Sequence, residues 1–244
     1  MPGKTLKLVM IISLLYITSN IFSSREVEAY LEEVNAVRCP VCGGEVKIFK
    51  TLSMTVKGSY RDFQRKINGP YYFQLFSSCP ACHFSGYASD FSREVSEEIK
   101  HKVLAELKSI PVEALNINMF EFAAKIYIWE KRDYAEIAQI YLFGSYYLKY
   151  RSDLKGKRFE NLRKRYQAFA CEYFIKTLEA KEIKEKDRGA INYLIGDLYR
   201  RQGEFEKAIY WYDIALKEKN PDEFRETIQE QKEMARNRDA DNDI

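Results

Sequence analysis

Four cysteines carry the clearest chemistry in this chain. Cys39-Pro40-Val41-Cys42-Gly43 and Cys79-Pro80-Ala81-Cys82-His83 are two copies of one motif. A Cys-x-x-Cys turn places two thiolates on a rounded knuckle, with backbone N–H groups aimed at the sulfurs. Two such knuckles supply four ligands for tetrahedral Zn²⁺, with Zn–S bonds of about 2.3 Å. Proline after the first Cys fixes φ, and glycine after the second permits a left-handed turn. The expectation is one structural Zn²⁺ held by Cys39, Cys42, Cys79 and Cys82. Three other readings stay open. Export to an oxidising compartment would favour disulfides between the same residues. Thiol redox chemistry would need an activated thiolate, and no thioredoxin-like βαβ pattern surrounds these cysteines. Cys79-Pro80-Ala81-Cys82-His83 also spells a c-type haem attachment site, which would leave Cys39 and Cys42 an unexplained matching pair. His83 is read as a surface residue of its knuckle.

Little else in the chain has the makings of a catalytic centre. There is no phosphate-binding Walker loop, dinucleotide-binding glycine motif, HExxH helix or nucleophile elbow. The two histidines are His83 and His101. His101 sits between Lys100 and Lys102 and reads as solvated, so a Cys–His or Ser–His pair has almost no material. Cys171 reads as a small buried hydrophobe. Lys155, Lys157, Arg158, Arg163, Lys164 and Arg165 form a basic run beside Tyr166. It reads first as a solvated loop and helix face, and second as a phosphate-binding patch. Asp239, Asp241 and Asp243 imitate the alternate ligands of a calcium loop but lack its glycine and closing glutamate, and read as a frayed tail.

Positioning the knuckles falls to a short segment of distinct character. Residues 37–91 hold four of the five cysteines and several turn signals, namely Gly43-Gly44, Gly58 and Asn68-Gly69-Pro70. Val46-Lys47-Ile48-Phe49 and Tyr71-Tyr72-Phe73-Gln74-Leu75-Phe76 are β-prone. The segment reads as a zinc-ribbon module of two or three strands, preceded over residues 24–36 by a linker or short helix. A module of about 50 residues has little core of its own. Metal binding, on the order of 10 kcal/mol, would then be part of its folding free energy.

Residues 92–236 read as helical, with residues 237–244 as a disordered tail. Ser96-Glu97-Glu98 opens one helix, and Asp133-Tyr134-Ala135-Glu136 has the form of a capping box. Asn220-Pro221-Asp222-Glu223 starts another, with proline expected at the first helical position. Ile191, Leu194, Ile195, Leu198 and Tyr199 share one helical face, and Phe205, Ala208, Ile209, Tyr212, Ala215 and Leu216 share the next. Gly203 lies between them, so the two helices should form an antiparallel hairpin. Gly196, Tyr199, Gly203, Ala208, Tyr212 and Ala215 carry the spacing of a tetratricopeptide repeat (TPR), in which small residues let helices approach and large ones fill the space beside them. Gly144, Tyr147, Ala170 and Phe174 form a weaker upstream copy, its turn lengthened by the basic run. The fold class expected is therefore α+β and mostly α: a small zinc-ribbon module, then an antiparallel TPR-like helical domain.

The N-terminus stands apart. Lys4 and Lys7 precede the apolar run Leu8, Val9, Met10, Ile11, Ile12, Ser13, Leu14, Leu15, and small polar residues follow. These are the parts of a secretory signal peptide over residues 1–23, with cleavage after Ser23 or Ala29. An uncleaved anchor over residues 8–22 and a buried N-terminal helix are the alternatives, as is a cytoplasmic chain. The chain has 244 residues, 39 of them basic and 36 acidic, for a net charge of +3. That balance gives no argument for nucleic acid or an anionic membrane as partner.

The motifs together resemble a bacterial family of unknown function in which a double-CPxC module precedes TPR-like helices. Besides the two knuckles, the resemblance is carried by Asp62-Phe63, Gly69-Pro70-Tyr71-Tyr72, Asp90-Phe91 and Tyr193-Leu194-Ile195-Gly196-Asp197-Leu198-Tyr199-Arg200-Arg201-Gln202-Gly203. It covers roughly residues 37–235. His83 and Phe84 depart from the Gly and Tyr expected there. The resemblance implies zinc binding and a helical interaction tail, and nothing catalytic. The function expected is a non-enzymatic zinc-binding adaptor whose helical domain holds an unknown protein or peptide, with no small-molecule substrate. The alternatives are a nucleic-acid or phosphate-binding zinc ribbon and a cell-envelope thiol oxidoreductase.

Overall fold

The computed structural model describes residues 30–67, 71–110, 115–150 and 156–240. The leader expected over residues 1–23, the Asn68-Gly69-Pro70 turn, Lys155 and the end of the acidic tail lie outside the described residues. No helix among the described residues is long and apolar enough to cross a membrane.

The fold is α+β and mostly α, with small antiparallel strand pairs followed by helices. The strand β1 (Tyr30–Arg38) pairs antiparallel with β2 (Glu45–Ser53), and the first Cys knuckle is the turn between them. The helix or linker expected over residues 24–36 is therefore a strand from Tyr30 onward. A partner strand in register overrides any local helical preference in Glu32 and Glu33, which face Lys50 and Phe49 across the ladder. Along β2 the burial alternates, with Val46 and Ile48 inward and Glu45 and Lys47 outward, the two-residue period of a half-buried strand.

A second pair follows, β3 (Val56–Ser59) with β4 (Arg65–Ile67), and a third, β5 (Phe76–Ser78) with β6 (Ser85–Tyr87), whose turn is the second knuckle. The module thus has more strands than the two or three expected. The β-prone stretch from Tyr71 divides: Tyr71–Gln74 is a single helical turn, α1, and the strand starts only at Phe76. Packing explains the change. A helical turn lets the Tyr72 ring meet Tyr146 and Phe143, at 5.2 and 5.5 Å between centroids, while Phe73 stacks on Tyr147 at 5.5 Å. An extended chain would send alternate rings to opposite faces.

A short 3₁₀ segment, Ala88–Ser92, leads to the helices α2 (Glu97–Glu106), α3 (Leu115–Trp129), α4 (Tyr134–Tyr150) and α5 (Lys157–Glu179). Ser96 caps α2 as expected, its hydroxyl accepting from the Ile99 N–H. α4 begins directly after Asp133, whose carbonyl accepts from the Glu136 N–H at 3.0 Å. The basic run from Lys157 to Arg165 lies in the first turns of α5 rather than in a lengthened loop, because Lys164 and Arg165 find acidic neighbours in Glu160 and Glu121. Cys171 is buried on the same helix, as expected of a small hydrophobe. After it come α6 (Arg188–Arg201), α7 (Phe205–Lys217) and α8 (Asp222–Arg236). Pro221 stands just outside α8 as its cap rather than at its first helical position.

The described residues divide into two compact units. The first comprises 30–56 and 67–173. Its core joins the knuckle cysteines Cys39, Cys79 and Cys82 to Val46, Ile48, Phe84 and Phe91, and then to Ile99, Val103, Phe122 and Ile126 of α2 and α3. The knuckles therefore share their core with helices. The second unit comprises 57–66 and 174–240. Its core gathers Tyr193, Ala208, Tyr212, Ala215, Ile228 and Ala235, with Phe63, Tyr199 and Phe224 packed beside them. Here α6 turns into α7 at Gly203, whose φ of +82° is the left-handed conformation glycine adopts without cost. A Cβ on Gly196 would meet the Tyr212 ring at 2.8 Å and the Ala208 carbonyl at 3.2 Å. Of the residues Gly196, Tyr199, Gly203, Ala208, Tyr212 and Ala215, the close approach of Gly196 to Tyr212 and Ala208 is thus present. In the weaker upstream copy, a Cβ on Gly144 would meet the Tyr166 ring and Phe120.

Candidate metal centre

Each knuckle is built by the same pair of backbone bonds. In the first, the Cys39 N–H donates to the Gly44 carbonyl (2.8 Å) and the Gly43 N–H to the Cys39 carbonyl (2.9 Å). In the second, the Cys79 N–H donates to the Phe84 carbonyl (2.9 Å) and the His83 N–H to the Cys79 carbonyl (2.8 Å). Both turns close through a residue of positive φ, Gly43 at +72° and His83 at +64°. The equivalence of these bonds makes the two motifs structural copies as well as sequence copies.

The turns bring all four Sγ atoms within 4.8 Å of one another. Cys39 and Cys82 are 3.6 Å apart and Cys42 and Cys79 3.5 Å apart, and all four thiols are free. A covalent S–S bond is near 2.0 Å, whereas four sulfurs at Zn–S bonds of about 2.3 Å stand about 3.8 Å apart on the edges of a tetrahedron. The spacing fits a metal far better than disulfides. Cys39, Cys79 and Cys82 are buried and Cys42 is exposed, so one ligand faces water. Gly44 leaves room for this cluster: a Cβ there would stand 3.3 Å from the Cys42 sulfur and from Ala81 Cβ. The sequence marks Gly44 only as a turn residue, and its sulfur-side role is visible only in three dimensions.

The thiols perturb one another strongly. Cys79 is pulled down to about 2, chiefly by hydrogen bonds from Cys39 and then Cys82. Cys39 is pushed up to about 12, first by its bond to Cys79. Cys82 is also pushed up, by its bonds to Cys39 and Cys79 and by burial. Without a cation, ionisation is favoured at Cys79 and disfavoured at Cys39 and Cys82. A divalent ion supplies the positive charge that lets every ligand ionise. All-thiolate donors favour Zn²⁺ or another thiophilic ion over a hard cation.

His83 is not the surface residue expected from sequence. It is 1% exposed, its Nδ1 is 2.8 Å from the Leu107 carbonyl, and its ring stacks on Phe122 with centroids 5.6 Å apart. It points away from the sulfurs into the helices, which ties the second knuckle to the end of α2. His101 is exposed, as expected.

A second polar constellation surrounds Asp90. Asp90 is 1% exposed, and its carboxylate accepts from Tyr127 Oη (2.7 Å), the Tyr87 N–H (2.8 Å), Arg132 (2.8 Å) and Arg93 (3.0 Å). Arg93 continues to Glu130 at 2.6 Å, and Arg132 lies over the Tyr127 ring at 4.1 Å. Burial works to raise the Asp90 pKa, but Tyr127 and the two guanidiniums outweigh it and hold the carboxyl below its ordinary value. Asp90 fastens the chain after β6 to the start and end of the α3–α4 turn. Gly86 makes room for it, since a Cβ there would collide with the Asp90 side chain. Asp90-Phe91 was visible in sequence only as part of a resemblance.

The family model described as "Uncharacterized protein conserved in bacteria (DUF2225)" matches residues 33–239. No curated protein and no solved structure matches the chain.

Proposed function

The chain belongs to this bacterial family, and from that premise we propose that it is a non-enzymatic adaptor whose N-terminal module is held by one structural Zn²⁺. The observation that carries the reading is the convergence of Cys39, Cys42, Cys79 and Cys82 within 4.8 Å. When bound, the ion supplies charge neutralisation and four fixed bonds. The protein's own residues do the rest: paired knuckle bonds aim the sulfurs, and a shared apolar core with α2 and α3 seats them. The helical hairpin at Gly203 and its neighbour α8 serve as a TPR-like surface for a protein or peptide. Supporting this is the close packing of Gly196 against the Tyr212 ring and the Ala208 carbonyl.

The test is elemental analysis of the purified full chain, with about one zinc per chain expected. A chain without zinc that keeps its fold when all four cysteines are alkylated would remove the reading. Export is part of the same proposal, because the leader read over residues 1–23 would send a thiolate site to an oxidising compartment. Mass spectrometry of the mature chain should then find Ser24 or Tyr30 at its N-terminus; an intact residue 1 or 2 there would place the protein otherwise.

A further inference from the structure

The hairpin β3–β4 ends in a buried tip. β3 is exposed along its whole length and β4 is at most half-buried. At the tip, Asp62 is 3% and Gln64 0% exposed. A two-stranded hairpin alone is marginal in water, so this one depends on where its tip sits. The tip is tightly wound: the Tyr60 N–H donates to the Gln64 carbonyl at 2.7 Å, and the Gln64 N–H to Asp62 Oδ1 at 3.0 Å. Phe63 has a φ of +63°, an outlier for a bulky side chain that persists only where surroundings hold it.

What holds it is a socket on α6 and α8. The Phe63 ring lies 5.3 Å from Tyr193 and 5.9 Å from Phe224, centroid to centroid. Tyr193 Oη donates to the Arg61 carbonyl at 2.6 Å, and the Asp62 carboxylate meets Arg201 at 3.2 Å. The charges explain why an acid is required. Arg200 and Arg201 are both buried and both donate to the one carboxylate of Asp197, at 3.0 and 2.6 Å. Asp62 brings the second carboxylate to this buried pair of guanidiniums. Removing it would leave two buried guanidiniums sharing the Asp197 carboxylate.

We propose that this socket is a peptide-recognition site for an acidic residue followed by an aromatic one in a tight turn, occupied in cis by Asp62-Phe63. A partner presenting the same acid–aromatic turn competes with the β3–β4 tip for Tyr193, Arg201 and Phe224. This rests on the interaction-surface half of the adaptor reading and not on the zinc. Tethering gives the tip a high effective concentration, so the intact protein binds such a partner weakly and a chain with an emptied tip binds it well.

The experiment uses a labelled peptide with the sequence of residues 57–66, cyclised through added terminal cysteines, titrated into the full chain. The double variant Asp62→Asn, Phe63→Ala should bind it at least about tenfold more tightly than the wild type, the advantage of vacating a tethered site. A peptide carrying Asp62→Asn should lose that binding. Equal affinity of wild type and variant, or of the two peptides, overturns the proposal. Should the variant fail to fold, hydrogen exchange on the wild type decides: saturating peptide should accelerate exchange at the Tyr60 and Phe63 amides, and unchanged exchange overturns it. Zinc content separates the two proposals, since a zinc-free chain that binds the peptide sinks only the metal reading.

Discussion

His83 occupies a backbone position that glycine fills in the sister knuckle, and it does so because its ring has other work. The bond to the Leu107 carbonyl and the stack on Phe122 offset the cost of a Cβ at φ +64°. His83→Ala keeps the strain and loses the ring. It should destabilise the protein by about 1–3 kcal/mol, the lost hydrogen bond and the lost ring stack together, with metal stoichiometry unchanged. His83→Gly should recover about 1 kcal/mol of that by relieving the backbone; urea denaturation of both variants measures the difference. Asp90 makes a sharper case. Asp90→Ala removes the acceptor shared by Tyr127, Arg93 and Arg132, leaving the arginines with Glu130 and Glu136, and should cost about 1–3 kcal/mol. Because the folded Asp90 pKa is depressed, its contribution is fully present above the unfolded value of about 3.9 and is lost as pH falls through the folded value. The wild type should therefore lose stability below about pH 4, and the Asp90→Ala variant should show a smaller loss over that range. Parallel acid titrations of the two would contradict this assignment.

Among the elements, the α6–α7 hairpin shows most clearly how sequence spacing becomes packing. Gly196→Ala gains about 1 kcal/mol in helix propensity. It also pushes a methyl to 2.8 Å from the Tyr212 ring, and that ring is fully buried and has nowhere to go. Overpacking of this kind costs about 1–3 kcal/mol, so the net change should be destabilising; a rise in thermal midpoint would show that the helices stand further apart. This hairpin was legible because its apolar positions recur at helical spacing and Gly203 marks the turn. The chain around Tyr71 was misleading for the opposite reason: Tyr-Tyr-Phe has high strand propensity, and only the rings of α4 make a helical turn preferable. The strand over Tyr30–Arg38 was hidden too, since its partner β2 lies beyond the knuckle. The β3–β4 tip was hidden most completely. Asp62 and Arg201 are far apart in sequence, and no local pattern says that one neutralises the other.

At the scale of the molecule, the four cysteines were readable from type and spacing alone, and the structure adds what holds them. They are joined to a helical core, so losing the metal should loosen the N-terminal unit without erasing its helices. The second unit has its own core around Tyr193 and Tyr212 and should keep its structure when chelator is added. The most direct measurement is zinc content of the full chain by elemental analysis, followed by hydrogen exchange before and after a strong chelator. About one zinc per chain, with exchange rising at Cys39–Gly44 and Cys79–Phe84 once the metal is removed, is the expected result. A metal-free chain whose knuckle amides exchange no faster in chelator would contradict the assignment of Cys39, Cys42, Cys79 and Cys82 as a structural metal site.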